Sequence, residues 1–308
     1  MKHIHEIIED GFSWVNVSKQ GENELNEIQH RFRLHSEDIK ESLPPFQRPK
    51  IVKRSDYYFV VLQFPVFDRG TRRLGFTEVD IFLNANYLIT IHDNRLPIIN
   101  SFFNECQANL DMRGEYFSGT MAHVLLELLN RLFESIFPIL LHINEDINTV
   151  DTKLFTTIPD REMASEILRL KTNIVTFRRT MQGHRTVLDR LVMNGDHDLQ
   201  LVSFQHYINS LREAVAEVWH MIESQKESID ALHETNESML SLRTNEVMKT
   251  LTIISVITFP LTLIATIFAM RARGTPFIDE AYGFWIVSGL TLIGAVLMFA
   301  VFKRKKWM

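Results

Sequence analysis

The sequence predicts a membrane protein with an N-terminal α/β domain, a helical region ending in one long helix, and two C-terminal membrane helices. Three observations carry that prediction. Two apolar runs, Leu251 to Met270 and Phe284 to Phe302, contain no Asp, Glu, Lys, Arg or His. Three β-rich runs separated by turn residues lie between Tyr57 and His92. No glycine occurs between Gly195 and Gly274, and Pro260 is the only proline there, so a helix can run unbroken for most of that distance.

Taken in order, the chain opens on MKHIHEIIEDGFSW, which has no apolar h-region and is not expected to direct export. The α/β domain is expected over residues 1–117. Within it, helical patterns at Glu22 to Phe32 and Ile98 to Leu110 flank two consecutive hairpins. Tyr57 to Phe67 turns at Asp68-Arg69-Gly70 into Leu74 to Leu83, and Asn84-Ala85-Asn86 turns that strand into Tyr87 to His92. A helical region is expected over residues 118–250, with helices at Ser118 to Leu154 and Asp160 to Met193 and a stop at Asn194-Gly195. The single cysteine, Cys106, allows no internal disulfide and suits a reducing compartment.

A continuous helix from about Val202 to Met270 would be roughly 100 Å long at the standard rise. Its first half carries a 4-3-4-3 repeat: Phe204, Ile208, Leu211, Val215, Val218, Ile222, Gln225, Ile229, Leu232, Asn236 and Met239. Nine of the eleven are apolar, which is coiled-coil spacing with two polar interruptions. The seam can face either the chain's own helices or a second copy. Opposite it lie Glu213, Glu217, Glu223, Glu227, Asp230, Glu234 and Glu237. They read first as a solvated face, with cation attraction near a pore as the alternative.

Each apolar run is about 20 residues, enough to span a hydrocarbon core of roughly 30 Å. Membrane helices are expected at 251–270 and 284–302, joined by an external loop at 271–283 and followed by a basic tail at 303–308. Lys303-Arg304-Lys305-Lys306 outweighs Arg271 and Arg273 of the loop, which places the C-terminus in the cytoplasm. A hairpin then places the N-terminal domain there as well, in a multi-pass protein of the inner membrane. The net charge of −5 does not suggest nucleic-acid binding, and the basic tail reads as a headgroup anchor.

One face of the first membrane helix is polar. Asn245, Met248, Thr252, Ser255, Phe259, Thr262 and Thr266 recur at three- and four-residue spacing. Hydroxyls and a carboxamide in lipid seek neighbouring helices or water. One hairpin cannot enclose a hole, so a water-lined path needs several subunits. Helix–helix adhesion without a pore is the alternative.

The run NEVMKTLTIISVITFPLTLIATIFAM, Asn245 to Met270, closely resembles the pore helix of the CorA-type divalent-cation channels, the two-transmembrane GMN family. LHSEDIKESLPPFQRPKI (Leu34 to Ile51) resembles the family's segment in which an acidic pair precedes Q-R-P-K. NYLITIHD (Asn86 to Asp93) resembles the strand that ends its sheet, and KRKKWM (Lys303 to Met308) its basic collar and closing aromatic. The resemblance implies a CorA-like homopentamer, with a cytoplasmic α/β funnel and a stalk helix lining the pore. It also implies pore-facing positions at Asn245, Met248, Leu251, Phe259 and Thr262.

Two departures accompany the match. Where the signature has Tyr-Gly-Met-Asn at the outer mouth, this chain has Phe268, Ala269, Met270 and Arg271. A guanidinium offers donors only, whereas a carboxamide offers an acceptor to a hydrated metal. Five inward arginines about 7 Å from the axis would repel a divalent ion by roughly 6 kcal/mol in total before screening. Asp279 and Glu280 can neutralise Arg271 and Arg273, so that figure is an upper bound. The family's Tyr-x-Arg-Asp-x-Tyr-Asp run, which helps hold a regulatory metal between subunits, corresponds to Tyr207-Ile208-Asn209-Ser210-Leu211-Arg212-Glu213. Serine replaces the metal-holding carboxylate, and Glu213 is the remaining candidate ligand.

No phosphate-cradling glycine loop and no nucleophile context around Cys106 point to an enzyme. His3-Ile4-His5-Glu6 and Asp196-His197-Asp198 have metal-capable residues but read as surface polar groups. The expectation is an ion channel or transporter that passes Mg²⁺ or a related divalent cation and needs no cofactor. The alternatives are a relative that carries zinc or anions, or a non-conducting membrane protein.

Overall fold

The computed structural model describes residues 3–156, 161–195, 199–270, 276 and 282–304. They divide into two compact units, Met1–His233 and Glu234–Met308. In chain order the elements are β1 (Ile4–Glu9), β2 (Phe12–Val17), α1 (Glu22–Phe32), α2 (Ser36–Glu41), β3 (Lys50–Lys53), β4 (Tyr58–Asp68), β5 (Arg73–Leu83) and β6 (Tyr87–His92). Helices follow: α3 (Pro97–Ala108), α4 (Leu110–Tyr116), α5 (Met121–Glu134), α6 (Phe137–Thr156), α7 (Arg161–Met181), α8 (His184–Gly195), a 3-10 turn at Leu201–Phe204, α9 (Gln205–Ala269) and α10 (Gly283–Arg304).

The first unit is built on a six-stranded sheet in the order β1-β2-β6-β5-β4-β3. β2 and β6 pair in parallel and the other neighbours are antiparallel. Alternate residues point to opposite faces. Val15, Val17, Phe59, Val61, Phe82, Ile89 and Ile91 pack with Leu25 and Ile28 of α1 and Ile39 of α2. On the other face Trp14 meets Phe102 and Phe103 of α3, and Phe64 meets Phe133 of α5. Helices therefore cover both faces, which is why β4 and β5 read as nearly continuous apolar runs. The turns form where the sequence places them. The Asp68 carboxylate accepts from the Gly70 and Thr71 N–H groups, and the Asn84 side chain accepts from those of Asn86 and Tyr87.

Three strands go beyond the expected hairpins. β1 and β2 join through Asp10 (φ 47°) and Gly11 (φ 84°), both left-handed, as a type I′ hairpin turn requires. β3 is a short edge strand against β4. Two helices expected as single pieces are each broken. Ser118 to Leu154 becomes α5 and α6, because Pro138 in the first turn of α6 cannot continue a helix from α5. Asp160 to Met193 becomes α7 and α8, parted at Gln182-Gly183. A Cβ at Gly183 would lie 2.6 Å from the Cβ of Pro49, so the chain can pass there only without a side chain.

The seam of α9 is covered by the chain's own helices over its first half. Ile208, Leu211, Val215, Val218, Ile222, Gln225, Ile229 and Leu232 are all buried. The Gln225 amide donates to the Leu140 carbonyl of α6 at 2.7 Å. Ion pairs Arg178–Glu223 (2.5 Å), Lys171–Asp230 (2.8 Å) and Arg212–Asp189 (3.4 Å) flank the seam, and they show that part of the acidic face is paired rather than simply solvated.

The segment resembling the family's Q-R-P-K region is anchored by a buried carboxylate. Asp38 accepts from Arg54 Nε at 2.9 Å and from the Tyr57 hydroxyl at 2.7 Å, while that hydroxyl accepts from the His35 N–H at 2.9 Å. Burial opposes the Asp38 charge, but Arg54 and Tyr57 outweigh it and hold the carboxyl below its usual range. Burial and the Asp38 charge push the Tyr57 phenol up to about 12.

Candidate ion path

The second unit comprises the later part of α9 and α10, both long and apolar enough to cross a membrane. Pro260 lies inside α9 without ending it. From Leu240 to Thr252 every residue of the single chain is exposed, including Met248 and Leu251, each 57 % exposed. In the apolar windows of α9 and α10 only 6 % and 0 % of the residues are buried, and apolar surface of this extent requires lipid or further protein around it.

α9 has one covered face in this unit. Ile253 is buried, and Ile257, Leu261, Ile264 and Phe268 are half-buried, a 4-4-3-4 spacing. Leu261 marks that face as the one turned to α10, since a Cβ at Gly294 would meet Leu261 Cδ2 at 3.4 Å. The small residue lets the helix backbones approach closely. At about 100° per residue, the stripe Asn245, Met248, Thr252, Ser255, Phe259, Thr262 and Thr266 is centred roughly 170° from the covered face. All but the half-buried Ser255 are exposed in the single chain, Phe259 at 76 %. The hairpin thus turns its polar stripe away from its own second helix.

The threonines share one geometry. Thr252 donates its hydroxyl proton to the Met248 carbonyl at 2.7 Å, Thr262 to Thr258 at 2.9 Å, and Thr266 to Thr262 at 2.7 Å. Each proton is engaged four residues back along the helix. What remains outward is the oxygen lone pairs, so these residues present acceptors. The waters around a cation offer hydrogens to such a surface, whereas an anion needs donors.

The other candidates fall as follows. Met270 is 75 % exposed at the end of α9. Arg271, Arg273, Asp279 and Glu280 lie outside the described residues, as do Asp196, His197, Asp198 and Lys305 to Met308. Ser210 and Glu213 are exposed on α9. Glu6 of the His3–Glu6 group accepts from the Ser13 hydroxyl at 2.7 Å and pairs with Arg31 at 2.5 Å. Among the described residues no group of three or more His, Cys, Asp or Glu side chains is placed to hold a metal. The residues that orient the stripe, Leu261 and Gly294, were not singled out from the sequence; a glycine amid bulky α10 neighbours was the available signal.

The CorA family model, described as CorA-like Mg²⁺ transporter protein, matches residues 9–304. The cobalt/magnesium transport protein CorA of Thermotoga maritima is 25 % identical over 297 residues, covering 96 % of this chain and 83 % of that protein. The complete structure of the CorA magnesium transporter from Methanocaldococcus jannaschii superposes with a TM-score of 0.80 at 21 % identity, covering 98 % of this chain and 93 % of that one. The full-length CmaX protein superposes with a TM-score of 0.74 at 18 % identity, covering 98 % and 91 %. The two structural likenesses are of fold.

Proposed function

Because the chain belongs to the CorA-like Mg²⁺ transporter family, we propose that it passes Mg²⁺ or a related divalent cation along a path lined by the polar stripe of α9. It is a CorA-type membrane transporter with a cytoplasmic N-terminal domain and two C-terminal membrane helices, and not an enzyme. The proposed assembly is a homopentamer, since a stripe facing away from α10 can be enclosed only by further copies of α9. The proposed lining is Asn245, Met248, Leu251, Thr252, Ser255, Phe259, Thr262 and Thr266, with Met270 and Arg271 at the outer mouth. The cation is cargo, and no cofactor is part of the proposal.

The observation that carries this reading is the acceptor-only threonine surface. Oxygen acceptors suit the water shell of a hard cation that dehydrates reluctantly. Met248 and Leu251 lie at the cytoplasmic end of the stripe, where an apolar ring can gate by dewetting. An inside-negative potential supplies about 4.6 kcal/mol per 100 mV to an entering divalent ion, so no energy-coupling site is needed. Arg271 favours a second reading, anion passage, because donors at the mouth suit anions.

Flux into proteoliposomes loaded with indicators for Mg²⁺, Zn²⁺ and Cl⁻ separates the readings. The proposal expects divalent uptake without Cl⁻ uptake. Cl⁻ uptake alone would establish the anion reading, and absence of all three fluxes would make the chain non-conducting.

A further inference from the structure

In the first unit, three arginines from three helices line one cleft of about 700 Å³: Arg178 of α7, Arg185 of α8 and Arg212 of α9. The volume is that of a small-molecule site. Its floor is apolar, formed by the buried Met181, Leu188 and Val215. One wall is the half-buried Trp219, with the Arg178 guanidinium 5.7 Å from the ring centroid. Thr186 adds a hydroxyl at the rim.

The charges in this cleft do not cancel. Among the described residues Asp189 is the single carboxylate of its lining. It lies 3.4 Å from Arg212 and 4.0 Å from Arg185, the latter at the outer limit of an ion pair. Arg178 is paired with Glu223 at 2.5 Å. The Arg185 side chain is 88 % exposed, and its fork is free to turn to a ligand. Three arginines against Asp189 and Glu223 leave one positive charge in excess, on Arg185. This charge beside a flat apolar wall fits a ligand with a planar ring and an anionic end. Guanidinium forks match phosphate oxygens in pairs, and every nucleobase can stack on an aromatic face.

We propose that this cleft binds a nucleoside polyphosphate, the base against Trp219 and the apolar floor and the phosphates on Arg185 and Arg212. The inference goes beyond the transport reading and does not depend on it. Polyphosphates coordinate Mg²⁺ through their oxygens, so a bound nucleotide would link α7, α8 and α9 to the level of a metal chelator. Inorganic phosphate would leave the floor uncovered.

The test uses the full-length protein in detergent with EDTA and ATP as the probe, read by calorimetry and tryptophan fluorescence. Saturable binding is expected, with a Kd below about 1 mM. Arg185→Ala should weaken it about tenfold, the loss of one charge-assisted pair. Lys226→Ala, which removes the same charge from α9 outside the cleft, should leave affinity unchanged. Trp219→Phe should abolish the fluorescence response while calorimetric binding persists. Four outcomes would overturn the proposal. These are no saturable binding, equal loss in Lys226→Ala and Arg185→Ala, inorganic triphosphate binding as tightly as ATP, and shielding of Trp219 from acrylamide in the assembled protein, which would mean that a second copy covers the cleft.

Discussion

The Thr266 hydroxyl donates to the Thr262 carbonyl at 2.7 Å, while the Thr262 hydroxyl donates one turn earlier to Thr258 at 2.9 Å. Two successive turns of α9 therefore expose lone pairs on the same face. Thr262→Val keeps the shape and removes the acceptor from every subunit. Divalent flux in proteoliposomes should fall several-fold to about tenfold, as for loss of roughly 1 kcal/mol of favourable contact. Thr262→Ser, which keeps the oxygen, should retain flux. Equal flux in the valine variant would remove Thr262 from the path.

Gly294 faces Leu261 across the hairpin at a separation that leaves room for a methyl group and no more. Gly294→Ala should be tolerated, whereas Gly294→Leu should overpack the contact and cost about 1–3 kcal/mol. The measurement is the thermal unfolding midpoint in detergent. Equal midpoints for the two variants would mean the helices do not pack through this glycine.

Arg54 compensates the buried charge of Asp38, whose side chain is 1 % exposed. Arg54→Ala strands that carboxylate and should cost about 2 kcal/mol or more. Arg54→Ala combined with Asp38→Asn should recover part of the loss. A single variant as stable as the parent by chemical denaturation would contradict the anchoring role.

Glu78 and Asp80 point to one face of β5, and both are buried. Glu78 accepts from the Gln47 N–H, with Lys50 and Glu41 as the other charged neighbours. Burial pushes Glu78 up to about 7, and burial with the Glu78 charge raises Asp80. The folded state thus binds a proton more tightly than the unfolded chain. That stabilisation is complete below about pH 4.5 and is lost as pH rises through about 7. His92 and His184 act in the opposite direction. Burial lowers each to about 4, so stability falls as pH drops from 6.5 toward that value. Because the histidines act alike in both proteins, the unfolding midpoint of Glu78→Gln should rise relative to the parent's by several degrees from pH 4.5 to 7.5, the loss that Glu78 imposes on the parent being absent. A constant difference between the two midpoints over that range would rule out Glu78 as the source.

The membrane hairpin, the long α9 and the β4-β5-β6 meander were legible because each rests on a local pattern: charge-free length, absence of glycine, or turn residues between apolar runs. β1 and β2 were not expected, although Asp10-Gly11 is a hairpin signal, because the runs beside it are short and only partly alternating. The breaks at Pro138 and Gly183 differ in kind. Proline acts through its own ring, whereas Gly183 is required by Pro49, a contact across 134 positions that only the fold reveals. In the candidate path the residue types were visible in the sequence, but the direction of the threonine protons was not. The arginine cleft was invisible for the same reason, its residues being gathered from three helices.

The central claim, that the stripe of α9 lines a divalent-cation path, is tested most directly by cysteine substitution. The single native thiol, Cys106, is fully buried and its thiol is pushed up to about 12 by burial, so it stays unreactive. Cysteines at Thr262 and Thr266 lie on the stripe, and one at Ala265 lies roughly 100° or more from its centre. Mg²⁺ flux into proteoliposomes is measured before and after a charged, membrane-impermeant methanethiosulfonate reagent. The account predicts block for Thr262→Cys and Thr266→Cys and unaltered flux for Ala265→Cys. Block at Ala265 with none at the two threonines would place the path on another face of the helix and contradict it.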